Sequence, residues 1–282
     1  MIISLWFSAA KKTTECFSVN HPVAKKNTMI TEISINQKTY TTDLSKPMDI
    51  SLPLNNGSNN PNCFYAPPPV FEPVREGSFV GATTEGGAVN FFNIFINPHG
   101  NGTHTECVGH IAKEPYTINQ CLQQFHFPAI LVTVPLSQTD EDQVISREQL
   151  EASCSGYLPL PEALIIRTLP NEAFKKTAQY SGSNPPYITP DAMQWISGQR
   201  VQHLVVDIPS VDREKDNGIL AAHHIFWNYP ENTRKQATIS ELAYVPNEIP
   251  DGFYLVNIQI CSIELDASPS KILLFPLLQT GG

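Results

Sequence analysis

The chain has 282 residues, 41% of them hydrophobic and 16% charged, with 18 Lys and Arg against 27 Asp and Glu for a formal net charge of −9. That is enough apolar mass for a sizeable core, while the acidic balance argues against a nucleic-acid surface, which must neutralise phosphates. No stretch approaches the roughly 18 uninterrupted apolar residues of a membrane-spanning helix, so no membrane partner is expected.

The first 28 residues read poorly as structure. Met1–Ala10 is apolar, but Lys11 and Lys12 follow it, the reverse of a secretory signal. The preferred reading is a leader or disordered tail over 1–28 and a single domain over 29–282. A broken signal peptide is the alternative. Alternation after Met29 predicts a strand over Ile33–Thr41, closed by Asp43-Leu44-Ser45-Lys46-Pro47. Residues 53–87, rich in Asn, Pro and Gly, form a long irregular stretch, as functional loops or interaction arms do. Val89–Ile96, a run of Phe, Ile and Val, predicts a buried strand.

Further buried strands are predicted at Ala129–Val134, Ala163–Thr168, Val201–Asp207, Phe253–Ile263 and Ile272–Leu278. Three helices are predicted between them. Ser146 with Gln149 forms a capping box before Leu150. Asn171 starts a second, through Ala173, Phe174 and Ala178. Thr189-Pro190 opens a third, which Gly198 ends. The six cysteines are scattered and include no C-x-x-C pair, so reduced thiols in a cytoplasmic protein are the simplest reading.

Three of the eight histidines fall in one window, His99-Gly-Asn-Gly-Thr-His104-Thr-Glu106-Cys-Val-Gly-His110. Glycines free the backbone at the turn. His104 and Glu106 share one side of an extended segment. Imidazole with carboxylate is a donor set suited to zinc or manganese, and His110 can return to the same region if the chain turns at Gly109. Ala222-His223-His224 forms a second cluster and Glu241 a third element.

Together these residues resemble the metal-dependent cyclase family, which includes kynurenine formamidases and isatin hydrolases. The resemblance rests on Asp43-Leu44-Ser45, Gly102-Thr103-His104-x-Glu106 with His110, Asp207 to Asp212, Ala222-His223-His224 and Glu241-Leu242, in family order from about Lys38 onward. It departs from the family in four ways. His99 stands five residues before His104 instead of four, Glu106 replaces an aspartate, Val108 replaces a proline, and Asn228–Gln236 looks inserted as a surface loop. Either the turn bulges to bring His99 in, or that ligand is lost.

The resemblance implies an α+β, swivelling β/β/α fold: a mixed sheet or partial barrel with flanking short helices. It implies hydrolysis of an amide or cyclic amide, arylformamidase-like. His104, Glu106, His223 and Glu241 look like ligands of a divalent metal, zinc before manganese, with His99 a fifth. His110 looks like the general base and then acid. A small-molecule substrate and a homodimer or higher homo-oligomer are expected. A member of the fold that only binds a small molecule is the alternative. A cupin-like barrel would need His-x-His with a nearby glutamate, which His104-Thr-Glu106 does not supply.

Among the remaining residues, an extended segment would let only one of His223 and His224 face a metal, and the resemblance favours His223. Cys107 reads as packing. Asp207 and Asp212 read as loop-ordering residues. Phe64, Tyr65, Phe91 and Phe92 line either an aromatic pocket or, more often for such residues, the core.

Overall fold

The computed structural model describes residues 27–35 and 37–279. The expected leader, 1–28, lies outside the described residues apart from its last two positions. Seven strands hydrogen-bond into a closed ring. In order they are Gly252–Ile260, His126–Pro135, Ala163–Leu169, His203–Val206, Thr238–Glu241, His104–Glu106 and Ala267–Pro276, the last pairing back to the first. The three joints from His126–Pro135 to Thr238–Glu241 are parallel, and the other four are antiparallel. The mixed α+β architecture expected from the sequence is therefore present, with the barrel closed.

Side chains alternate across each strand, and both sides of this wall are apolar. Ile130, Val132, Leu164, Ile166, Leu204 and Val206 face outward, onto the helices Arg147–Cys154, Pro190–Gly198 and Ala221–Trp227. Ala129, Leu131, Ala163, Ile165 and Val205 face inward, with Val256, Ile258, Ile272 and Leu274 from the antiparallel strands. Burial on both faces explains why these segments read as continuous hydrophobic runs.

Several elements differ from the sequence reading. Ile33–Thr41 lies within a hairpin, Ile30–Ile35 with Lys38–Asp43, whose turn places Gln37 at φ 64°. Gln37 is not the glycine that usually marks such a position. The helix expected from Asn171 is only a 3-10 turn, Ala173–Lys176. Asn171 instead donates its side-chain amide to Val245 O, and Lys175 reaches inward to Asp207. Ser146 caps its helix by accepting from Gln149 N, while the full reciprocal box belongs to Thr117 and Gln120. The last strand begins five residues early, at Ala267, across Pro269.

Val89–Ile96 contains a strand, Phe92–Phe95, but it is exposed at every position. It pairs only with Val70–Pro73, as a two-stranded ribbon outside the ring. Hydrophobicity alone does not say whether a strand is covered by its own chain.

Candidate metal centre and its cavity

The strand His104–Glu106 positions the first two groups. Thr105 turns into the barrel, where its hydroxyl meets that of Ser240 at 2.7 Å. His104 and Glu106 therefore project to the outer face. Glu241 sits opposite His104 in the register and shares that face with Ile239.

Helix Ala221–Trp227 covers this face and brings His223 to it. The extended segment expected here is thus helical. His224 diverges around the helix and meets Tyr229 O through Nδ1 at 3.1 Å, away from the cluster. Asp212 fixes the start of the helix. Its Oδ1 accepts from Ala222 N at 2.7 Å, and its Oδ2 accepts from His223 N at 3.1 Å and meets His223 Nδ1 at 2.6 Å. The loop-ordering role read for Asp212 is there, but so is a direct hold on an imidazole that the sequence did not reveal.

The glycine turn bulges and brings His99 in. Asn97 Oδ1 accepts from Gly100 N at 3.0 Å, and Asn101 Oδ1 accepts from Asn97 N at 2.7 Å. A Cβ on Gly100 would lie 2.3 Å from Ala66 Cβ, so only glycine fits. His99 Nδ1 then lies 3.0 Å from Glu106 Oε2, and its Nε2 lies 2.8 Å from Asp266 Oδ2. His110 comes from the 3-10 turn Val108–His110, where a Cβ on Gly109 would strike Tyr116 O at 2.0 Å. Its Nδ1 is 3.4 Å from Asp266 Oδ2 and 3.7 Å from Glu106 Oε2.

All six predicted site residues thus come to one place. Asp266 joins them unforeseen. It stands next to Ala267, whose pairing with Glu106 carries it in, and no motif marks it in the sequence.

The cluster has a buried half and a rim. The side chains of His104, Glu106, His223 and Glu241 are at most 4% exposed, while those of His99, His110 and Asp266 are 25–32% exposed. His104 Nδ1 faces Gly102 O at 3.0 Å, so the backbone carbonyl holds the proton there and leaves the Nε2 lone pair free. Asp212 likewise holds Nδ1 of His223, whose Nε2 lies 3.1 Å from Glu106 Oε1. His104 Nε2 is buried without a hydrogen-bond partner among the described residues and faces Glu241 Oε2 at 3.4 Å, while the buried Glu106 Oε2 has only the His99 and His110 rings beside it, at 3.0 and 3.7 Å.

A buried acceptor without a partner is rare, and a nitrogen lone pair set among carboxylates fits a cation. His104, Glu106 and Glu241 each offer an atom within 4.8 Å of the others, and His99, Glu106 and His110 do likewise. Glu106 belongs to both sets. Glu241 is held by Val211 N, which donates to Oε1 at 2.8 Å.

The charges are strongly coupled. Burial would push His99 down, but Asp266 and Glu106 outweigh it and raise the ring to about 10. Burial opposes His223 too, and Asp212 and Glu106 raise it to about 10. Burial works against the Glu106 carboxylate, yet His110, His223 and His99 hold it well below the usual range.

The rim opens on a cavity of about 350 Å³ lined by His99, His110, His223, Glu241, Phe64 and Arg213 among others. Of the four aromatics weighed from the sequence, Phe64 lines it. Tyr65, Phe91 and Phe92 are 71%, 58% and 43% exposed, so they are not core, and they do not line this cavity. Cys107 is packed in the barrel core. Asp207 lies apart from the cluster, paired with Lys175.

The family described as "Putative cyclase" matches residues 42–213. A kynurenine formamidase from a strain of Bacillus cereus is 24% identical over 235 residues, 83% of this chain and 99% of the relative. A kynurenine formamidase from Bacillus thuringiensis is 26% identical over 68% of this chain and 83% of its own length. Among solved structures, isatin hydrolase A from Labrenzia aggregata superposes with a TM-score of 0.61 at 14% identity, covering 83% of this chain and 94% of that one. A protein from Bacillus stearothermophilus described as a predicted metal-dependent hydrolase gives 0.58 at 16% identity, covering 82% and 98%. With more than half of its length matched, the chain belongs to the cyclase family, and it is a hydrolytic enzyme of that family.

Proposed function

We propose that the enzyme hydrolyses an amide or cyclic amide, as an arylformamidase does, at a divalent metal held by His104, Glu106, His223 and Glu241, with His99 as a fifth ligand. The observation that carries this reading is the buried, unpartnered His104 Nε2, gathered with Glu106 and Glu241 within 4.8 Å of one another beside a cavity. When bound, such an ion supplies Lewis-acid polarisation of a carbonyl and a more acidic water. Zinc suits the mixed nitrogen and oxygen donors and keeps an open position, and manganese is the second choice.

The chain's own groups handle the protons. With Nδ1 of His110 turned to Asp266, Nε2 is the nitrogen left to take a proton from water and return it to the leaving amine. Asp266 and Glu106 orient the ring. His110→Ala is expected to keep its metal and melting temperature while turnover falls about 10²- to 10⁴-fold. A second reading gives His110 to a second ion shared through Glu106, since His99, Glu106 and His110 also form a donor set. Under that reading His110→Ala loses one metal equivalent.

The direct test is hydrolysis by the metal-loaded enzyme of N-formylkynurenine, isatin and a panel of cyclic imides and lactams. Turnover of one of them is expected. Metal binding without turnover of any would favour the alternative of a binding protein.

We read residues 29–282 as one cytoplasmic domain acting as a homodimer or higher homo-oligomer. The exposed ribbon supports the assembly, since Val70, Phe92, Ile94 and Phe95 are each 43–61% exposed. Apolar side chains left uncovered on both faces of a ribbon, as here, are typical of an interface. Light scattering should then give at least about twice the 31.3 kDa of one chain. Among the described residues no helix is long and apolar enough to cross a membrane.

A further inference from the structure

We infer that the substrate carries a carboxylate and that Arg213 binds it inside the cavity. The inference rests on the hydrolase reading above and adds to it a carboxylate on the substrate.

Arg213 follows directly on Asp212, the residue that holds His223, and it lines the same cavity as His99, His110 and His223. Its far end is anchored. Nη2 donates to Asp142 Oδ1 at 2.8 Å, and Asp142 is itself held by Asn184 Nδ2 and by the Tyr187 hydroxyl, both at 2.9 Å. The guanidinium is therefore fixed at one corner and does not have to be ordered by a ligand.

Its Nε, by contrast, is buried and has no hydrogen-bond partner among the described residues. The side chain as a whole is 39% exposed, so Asp142 takes one corner of the guanidinium and leaves its other donors for a ligand. The acidic neighbours do not serve it. Asp216 accepts from Gly218 N at 2.8 Å and Leu220 N at 2.6 Å, and Glu214 accepts from Gly182 N at 2.7 Å. Asp212 is engaged by the start of the 221–227 helix.

Each of these carboxylates is held by backbone donors, so beyond its pair with Asp142 the guanidinium has donor capacity to spare at the cavity. A planar guanidinium edge matches the two oxygens of a carboxylate, a match that neutral amides and Lys lack. Phe64 in the same wall gives an adjoining aromatic contact.

The test compares N-formylkynurenine with its methyl ester, which differ only at the carboxylate, on metal-loaded wild type, Arg213→Gln and Arg213→Lys. In Arg213→Gln the ratio of kcat/KM for acid over ester should fall about 10- to 100-fold, the size of one lost charge-assisted hydrogen bond. The change should sit mainly in KM, because the contact is remote from the scissile bond. Arg213→Lys keeps the charge without the fork and should lie between the two. It also carries the comparison if the Gln variant does not fold.

Calorimetry with kynurenine, which retains the carboxylate, gives a readout without turnover. Its Kd should weaken by the same factor in Arg213→Gln. An unchanged ratio and unchanged Kd, in protein with normal melting and metal content, would overturn the inference while leaving the hydrolase reading intact. Arg213-dependent kynurenine binding in an enzyme that cleaves neither amide would sink the hydrolase reading and keep the anion site.

Discussion

Replacing Lys175 by Met strands a carboxylate in the interior. The Asp207 side chain has no exposed surface, and that of Lys175 is 9% exposed. Asp207 accepts from Thr168 N and Thr168 Oγ1, both at 2.9 Å, and from Lys175 Nζ at 2.8 Å. Burial raises its pKa above the ordinary value, against the opposing pull of Lys175 and the two Thr168 bonds.

Removing one partner of a buried pair costs about 3–5 kcal/mol. At about 2–4 °C per kcal/mol for a chain of this size, Tm should fall by roughly 6–20 °C. The deficit should also depend on pH in a defined direction. Without Lys175 the folded-state pKa of Asp207 rises further above its unfolded value of about 3.9, so the folded state takes up the proton first. The penalty is full above the folded pKa and is relieved as pH falls through it. Urea unfolding at pH 7 and pH 5 measures both effects, and adding Asp207→Asn should recover part of the loss. A deficit under about 1 kcal/mol at pH 7, or one that does not shrink at pH 5, contradicts the buried-charge argument.

Asp212→Asn removes the carboxylate that fixes the His223 ring, and groups in that position typically set metal affinity by about 10- to 100-fold. Competition with a chelator should show zinc affinity weakened by that factor, and unchanged affinity would mean the ring needs no such support. His203 is held buried against Phe127, and its Nδ1 meets Thr238 Oγ1 at 2.9 Å. Burial, helped by Arg234, lowers its pKa to about 3. The folded value lies below the unfolded one of about 6.5, so stability is complete above pH 6.5 and declines as pH falls, by up to about 1.4 kcal/mol per unit. The stability difference between wild type and His203→Asn should therefore narrow between pH 6.5 and 4.5, and a constant difference would show that His203 is not buried neutral.

The parallel strands were legible because they are apolar on both faces. Ala129–Val134, Ala163–Thr168 and Val201–Asp207 fall within or close to their observed spans. The ring's closure was not, since it depends on Gly252–Ile260 and Ala267–Pro276 pairing with each other and with distant strands. Local pattern carries no such information. The ribbon at Phe92–Phe95 was misjudged for the opposite reason, because an uncovered apolar strand has the same pattern as a core strand.

In the site, the 99–110 window could be read because glycine, imidazole and carboxylate cluster in sequence. His223 could be placed but its helix could not. The helix begins after Leu220 in a left-handed conformation and takes its cap from Asp212, far upstream of the usual position. Asp266 and Arg213 stayed hidden, as each owes its place to tertiary packing alone.

Glu106 is common to both donor sets, so its removal bears on the metal centre however many ions it holds. Metal should be counted by mass spectrometry on purified wild type and Glu106→Ala after zinc loading and removal of free ion, with circular dichroism as the check on folding. At least one zinc per chain in the wild type and none in a folded Glu106→Ala is the expected result. A wild type that retains no metal, or a Glu106→Ala that retains the full complement, would contradict the assignment of these residues as a metal centre.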